Sequence, residues 1–221
     1  MQYIESIKSY FWDIGSQFLL IGVGAVVTLQ ILFSAAFVGI LLGTLLAVMR
    51  HKNLCTRSIS AVISVIRGTP VVLQLSFVYF AIPSFLGIKM SVVLAGILTF
   101  GFNSAAYVAE ILRAGIEYLP KGQFEAAQTL RIPNFYMWRD IILPQVIRNI
   151  FPSMINEIIA LLKETALIGT IGAMDIMRRS QAIAAEQFTF FTPLLIAGVY
   201  YYIFVLIIEH IGKQIEKKLS Y

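Results

Sequence analysis

From Phe18 to Met49 the chain runs without a single formal charge. A helix needs about 20 apolar residues to cross the hydrocarbon core of a bilayer, and this run exceeds that. A soluble fold would have to bury it, and the rest of the chain has too little polar material to do so. Charged residues make up 13% of the 221 residues and hydrophobic ones 58%, whereas soluble domains carry about 25% charged residues. The chain therefore reads as an all-α integral membrane protein, with residues 1–221 forming a single domain. Its start does not read as a cleaved secretory signal: Glu5, Lys8 and Asp13 precede the apolar run, the run is too long, and no small-residue cleavage site follows. A lone cysteine, Cys55, makes no internal disulfide, and no Cys/His cluster suggests a metal. The net charge of +5 fits the cytoplasmic Lys/Arg bias of membrane proteins and does not require nucleic acid as a partner.

Spans are expected at about Gln17–Met49, Met90–Ile116 and Phe190–Ile208. A fourth, about Ser58–Leu86, contains Arg67 and the breaker Gly68-Thr69-Pro70. A fifth, about Ile141–Ile171, is too polar for a hydropathy scan because it carries Arg148, Glu157, Lys163 and Glu164. Loop charge argues that it spans. With five transmembrane helices and the N-terminus outside, the inner segments hold Arg50, Lys52, Arg57, Arg113, Lys121, Arg131, Arg139, Arg148, Lys213, Lys217 and Lys218. The outer ones hold only Lys8, Lys89, Arg178 and Arg179. Omitting the polar span would put the lysines of the tail outside, so the C-terminus is expected in the cytoplasm.

Several features leave two readings open. Ala35, Gly39, Gly43 and Ala47 recur every fourth residue, a small-residue face suited to close helix packing in lipid, within the chain or at a dimer seam. The inner loop, about 119–144, contains Phe124, Ala127 and Leu130 at spacing three, which predicts a short helix with one apolar face, stopped by Pro133. Such a helix either lies at the interface or inserts into a groove of a soluble partner. The outer segment Gly172–Phe190, with Asp175, Arg178, Arg179 and Glu186, either contacts a binding protein or is simply solvated.

Glu125-Ala-Ala-x-x-Leu130, followed at the proper distance by Leu143-Pro144, resembles the EAA loop of permease subunits from binding-protein-dependent ABC importers. Other segments are similar to the polar amino acid branch (glutamine, histidine, arginine type): Arg67-Gly-Thr-Pro70 to Gln74, Ala106 to Gly115, Pro120-Lys-Gly-Gln123, Leu143 to Pro152 with Asn156-Glu157, and Lys163-Glu164-Thr-Ala-Leu167. The resemblance runs from Gly22 onward. It implies a type I importer transmembrane domain in a bacterial inner membrane, carrying an amino acid such as glutamine. It also implies partners: separate ABC ATPase subunits, an extracytoplasmic substrate-binding protein and a second permease chain, a homodimer being favoured. Glu125, Ala126, Ala127, Leu130 and Arg131 would couple to the ATPase, with Glu125 as polar anchor and the two alanines permitting close approach. One departure stands out: the family usually has Gly after the EAA leucine, and this chain has Arg131. In an unchanged left-handed turn, a side chain there costs about 1 kcal/mol; otherwise the turn differs.

The chain has no G-x-x-x-x-G-K-[ST] loop to cradle ATP phosphates. No cofactor is expected on it; the resemblance implies that ATP and Mg are used by the partner ATPase and that this chain is not itself an enzyme. Ionisable groups inside spans are costly unless they face protein or water. Gln74, Asn103, Tyr107 and Glu157 are candidates for the substrate path. Arg67, Glu110, Arg113, Lys163 and Glu164 are candidates for gate or structural contacts. For Glu157 itself, an interhelical contact is the competing reading, and Arg67 either snorkels or bridges to a neighbouring span. An ion-coupled secondary transporter is the alternative of another class, but no paired internal repeat is apparent.

Overall fold

The computed structural model describes residues 14–219, and every regular element among them is helical. The expectations resting on Glu5, Lys8 and Asp13, and the chain end at Tyr221, lie outside the described residues. Helix α1 is Ile14–His51, with a turn at 23–24, and α4 is Val92–Glu117. These two form the central pair. A Cβ on Gly39 would stand 2.7 Å from the Ser104 Cβ, and one on Gly43 2.7 Å from the Val108 Cβ and 2.8 Å from the Ala105 carbonyl oxygen. From the other side, a Cβ on Gly101 would meet Val38 at 2.8 Å. The small-residue face of α1 is thus taken up by packing within the chain, where absent side chains let two backbones approach.

The segment expected as one span over Ser58–Leu86 is two helices, α2 (Thr56–Gly68) and α3 (Val71–Leu86), bent by 102°. The cause is local. Pro70 forces Thr69 out of the helical region, to φ −116° and ψ 146°. Only α3, about 24 Å long by helical rise, continues as the second half of that span. Helix α2 turns aside and packs Ile59 and Ile63 on Ala106 and Ala109. The Gln74 side chain mends the break, donating to the carbonyl of Ile66 at 2.7 Å and to the Thr69 hydroxyl oxygen at 2.8 Å.

Beyond α4 comes the short helix α5 (Lys121–Thr129), then a π-helical stretch Met137–Ile142 leading into α6 (Leu143–Glu164) and a 3-10 turn Thr165–Ile171. Helix α6 follows the polar expected span, and small residues of its neighbours receive it: a Cβ on Gly115 of α4 would lie 2.1 Å from Ile150. The segment Gly172–Phe190, expected outside, holds α7 (Ile176–Gln187). Asp175 is fully buried and caps α7, accepting from the N–H groups of Arg178 at 3.0 Å and Met177 at 3.2 Å. Burial raises its carboxyl above the usual aspartate range, opposed by those backbone donors. The α7 start sits on Gly24 of α1, where a Cβ would stand 2.5 Å from the Asp175 carbonyl carbon and the Ile176 nitrogen. Only Arg178 and Glu186 of the expected charges stand fully in the open; Arg179 donates to the Met174 carbonyl at 3.2 Å.

The last helix, α8, is Phe191–Leu219 and outruns the expected end at Ile208. Helices α1, α4 and α8 are each long and apolar enough to cross a membrane, with α2–α3 a fourth if taken as one broken span. Phe33, Phe37 and Leu41 of α1, and Tyr202 and Leu206 of α8, are exposed apolar side chains, as a lipid-facing surface requires.

Candidate functional site

Two tiers of polar groups line the inner side of α4, one at the end nearest His51 of α1 and one in the middle of the helix. At the His51 end of α1, Glu110 is the hub of an ion cluster. Its Oε1 is ion-paired to Arg50 of α1, and its Oε2 accepts from Arg113 at 2.9 Å and 3.1 Å. Arg67 of α2 approaches the same Oε2 at 3.6 Å, and its guanidinium lies over the Tyr107 ring, 5.1 Å from the centroid. Arg113 also reaches Glu117. Three helices are thereby tied at one carboxylate. Of the two readings of Arg67, bridging is the one observed. Glu110 reaches across to α1 and α2, whereas Arg113 pairs only with Glu110 and Glu117 of its own helix among the described residues.

In the middle tier, Asn103 is buried and donates to the Gln74 Oε1 at 3.4 Å. The Ser104 hydroxyl donates to Glu157 Oε1 of α6 at 2.7 Å. The structure therefore brings Gln74 to Asn103, and Glu157 to the neighbouring Ser104, with Tyr107 one turn further along. Gln74 is largely committed to the helix break. Glu157 makes a hydrogen bond across helices and, among the described residues, no salt bridge. Lys163 and Glu164 do not join it: Lys163 is exposed, Glu164 half-buried, and among the described residues neither makes an ion pair.

Beside the ion cluster, an open cavity of about 600 Å³ between α4 and α6 is lined by Arg67, Tyr107, Glu110, Tyr118, Asn149 and Ser153, among others. Asn149, Ser153 and Glu157 follow one another every fourth residue, so one face of α6 looks at one face of α4. Sequence reasoning did not single out Asn149 or Ser153 as path residues. Their spacing from Glu157 was the signal available.

Helix α5 stands at the same end as the ion cluster. Its packing differs from the expected single apolar face. Phe124 and Ala127 do turn inward, Ala127 only 2% exposed in a cluster with Met137 and Val146. Leu130 is 73% exposed, because the helix has ended and its side chain leaves the face. Ala127 therefore permits close approach of the chain's own helices, while Glu125, Ala126, Leu130 and Arg131 are the groups left open to a partner. The helix closes in a Schellman turn: Arg131 has φ +52°, its N–H bonds the Gln128 carbonyl at 2.9 Å, and the Ile132 N–H bonds the Ala127 carbonyl at 3.0 Å. The turn is unchanged, and arginine occupies its left-handed position. Arg131→Gly is expected to stabilise this corner by about 1 kcal/mol, read as slower amide exchange at Ile132; faster exchange would show that the arginine side chain holds the turn.

The family model described as "binding-protein-dependent transport system inner membrane component" matches residues 39–221. The chain belongs to this family. Among relatives of this inner membrane component, a putative glutamine transport system permease protein of Rickettsia typhi is 48% identical over 198 residues, covering 89% of this chain and 91% of the relative. An arginine transport system permease protein of Bacillus subtilis is 43% identical over 199 residues, again 89% and 91%. A crystal structure of an amino acid ABC transporter with histidines superposes with a TM-score of 0.86 at 34% identity, over 94% of this chain and 98% of that one. An inward-facing methionine ABC transporter, at 21% identity and TM-score 0.74, shares the fold. A transport component needs a polar lining between helices. Polar groups of this chain meet between the Asn103-to-Glu110 face of α4 and the Asn149-to-Glu157 face of α6.

Proposed function

We propose that this permease carries a polar amino acid, glutamine foremost, along the cavity between α4 and α6, and that α5 couples it to a separate ATPase. The observation that carries the reading is the conjunction of that polar cavity with an exposed Glu125-Ala126 edge at the same end of the molecule. The glutamine and arginine permeases among its relatives, covered over nearly their whole length, support the substrate class. Each half-path would belong to one chain of a permease pair, a homodimer in the simplest case, served by an extracytoplasmic binding protein. ATP and Mg would be bound by the ATPase subunits alone. Closure of the ATPase pair would push α5, and through its packing on Met137 and Val146 would move α6 against α4. Residues 1–221 act as one domain, with about 119–144 as the coupling loop.

Five spans, with the N-terminus outside and the C-terminus in the cytoplasm, fit the helix ends. The Arg50 end of α1, the Arg113 end of α4 and the start of α6 lie together, while Gly24 and Asp175 meet at the other end. Basic residues concentrate at the first end. A reporter fused after Tyr221 is expected to read as cytoplasmic. The functional test is uptake of labelled glutamine, arginine and histidine by proteoliposomes containing this chain, its ATPase and its binding protein. Uptake of at least one, dependent on internal ATP, is expected. Gradient-driven uptake without ATP would establish a secondary carrier instead.

A further inference from the structure

The ion cluster is unbalanced. Arg50, Arg67 and Arg113 face Glu110 and Glu117, leaving one positive charge in excess. Arg67 is the member that is not fully used. Both oxygens of Glu110 already accept hydrogen bonds from Arg50 and Arg113, and Arg67 stands off at 3.6 Å, beyond hydrogen-bond range. Among the described residues Arg67 donates no hydrogen bond at all; its other contact is the face of Tyr107. Its side chain is 41% exposed, against 16% for Arg50. It projects from the last turn of α2, just before the Thr69-Pro70 break, and lines the cavity of about 600 Å³. That size lies within the range of about 300–1,000 Å³ typical of small-molecule sites. Across the cavity stand Asn149 and Ser153 of α6, both exposed, with side-chain oxygens able to accept.

We propose that Arg67 takes the α-carboxylate of the amino acid in this cavity, with Asn149 and Ser153 receiving its α-ammonium. The inference rests on the amino acid reading above and adds to it the cation that fixes the substrate's orientation. A planar guanidinium with free donors matches a carboxylate in bidentate fashion. Tyr107 pre-orients it by stacking. Glu110 holds it nearby without a direct hydrogen bond, so Arg67 can turn to a substrate without stripping Glu110 of its partners. Glu157 lies two turns further along α6 from Asn149 and is left to contact the side chain of the substrate or Ser104.

The test uses the assembled permease–ATPase complex in nanodiscs, without binding protein. Binding of L-glutamine and of L-arginine is compared with that of their α-amides, which lack the carboxylate charge. The native complex is expected to prefer the acid to the amide. In Arg67→Gln the acid should weaken by about 10- to 100-fold, the worth of a charged hydrogen-bonded pair, with amide binding unchanged. Arg67→Lys, which keeps charge but loses the fork, should fall between. Retained ATP hydrolysis reports assembly. A native acid-over-amide ratio in either variant, or equal loss of acid and amide, would overturn the proposal in favour of a structural Arg67. Binding of neither amino acid by the native complex would overturn the amino acid reading itself, and this inference with it.

Discussion

Glu125→Arg is expected to leave the chain in the membrane yet reduce ATP-dependent uptake by about 30-fold or more. The side chain is exposed on α5 and makes no hydrogen bond or ion pair among the described residues; the Thr129 hydroxyl bonds the backbone carbonyl of Glu125, at 2.8 Å. The expected damage is therefore confined to docking. Losing one partner of a buried charged contact at an interface costs about 2–5 kcal/mol, and each 1.4 kcal/mol is about tenfold in affinity. ATP hydrolysis by the complex should become independent of substrate delivery, or the ATPase should fail to copurify. Full uptake by this variant would remove α5 from the coupling path. Ala127 serves as the contrast. It is buried within the chain, so Ala127→Leu should lower the thermal stability of the permease alone, an effect that Glu125→Arg should not show.

The second large effect is expected at Glu110. Glu110→Ala would leave Arg50, Arg67 and Arg113 facing one another across α1, α2 and α4. Removing one partner of a buried charge cluster costs about 3–5 kcal/mol. Glu110 keeps 20% of its side chain exposed, so the lower end, about 3 kcal/mol, applies. Thermal unfolding of the permease in detergent measures it. Glu117→Ala is the control: Glu117 also pairs with Arg113, but its side chain is 62% exposed, and exposed pairs contribute about 0–1 kcal/mol. Equal losses in the two variants would show that Glu110 is no more than another surface charge.

These two residues also show how differently the chain's features could be read in advance. Glu125 was legible because its neighbours Ala126, Ala127 and Leu130 stand in a recognisable order. The direction each side chain takes was not. Ala127 turned inward and Leu130 outward because the helix ends between them, at Thr129, with a left-handed Arg131 just beyond. Glu110 and Arg113 were visible as a pair three residues apart on one helix. That Arg50 and Arg67 converge on the same carboxylate depends on the bend at Pro70, which carries Arg67 back over Tyr107. Asp175 read as one of four charges in a segment that either contacts a binding protein or is solvated. Its burial at the start of α7 comes from packing on Gly24, a contact between positions about 150 residues apart.

The sequence by itself determined that this protein lives in a membrane, because a charge-free run from Phe18 to Met49 has no other stable surroundings. It determined the breaks at Pro70 and Pro120, where a missing N–H and a restricted preceding residue act locally, but not the end of α5, which stops at Thr129 before Pro133 is reached. Through its motifs it also announced the family. Only the tertiary structure decided which polar groups serve the helices and which remain open to a ligand. Gln74 and Asn103 are bound to one another, Glu157 to Ser104, and Glu110 to its arginines, while Arg67, Asn149 and Ser153 face the cavity. The physical reason is that periodicity tells which residues share a face of one helix, whereas a polar group's role depends on what the facing helix brings within about 3 Å of it.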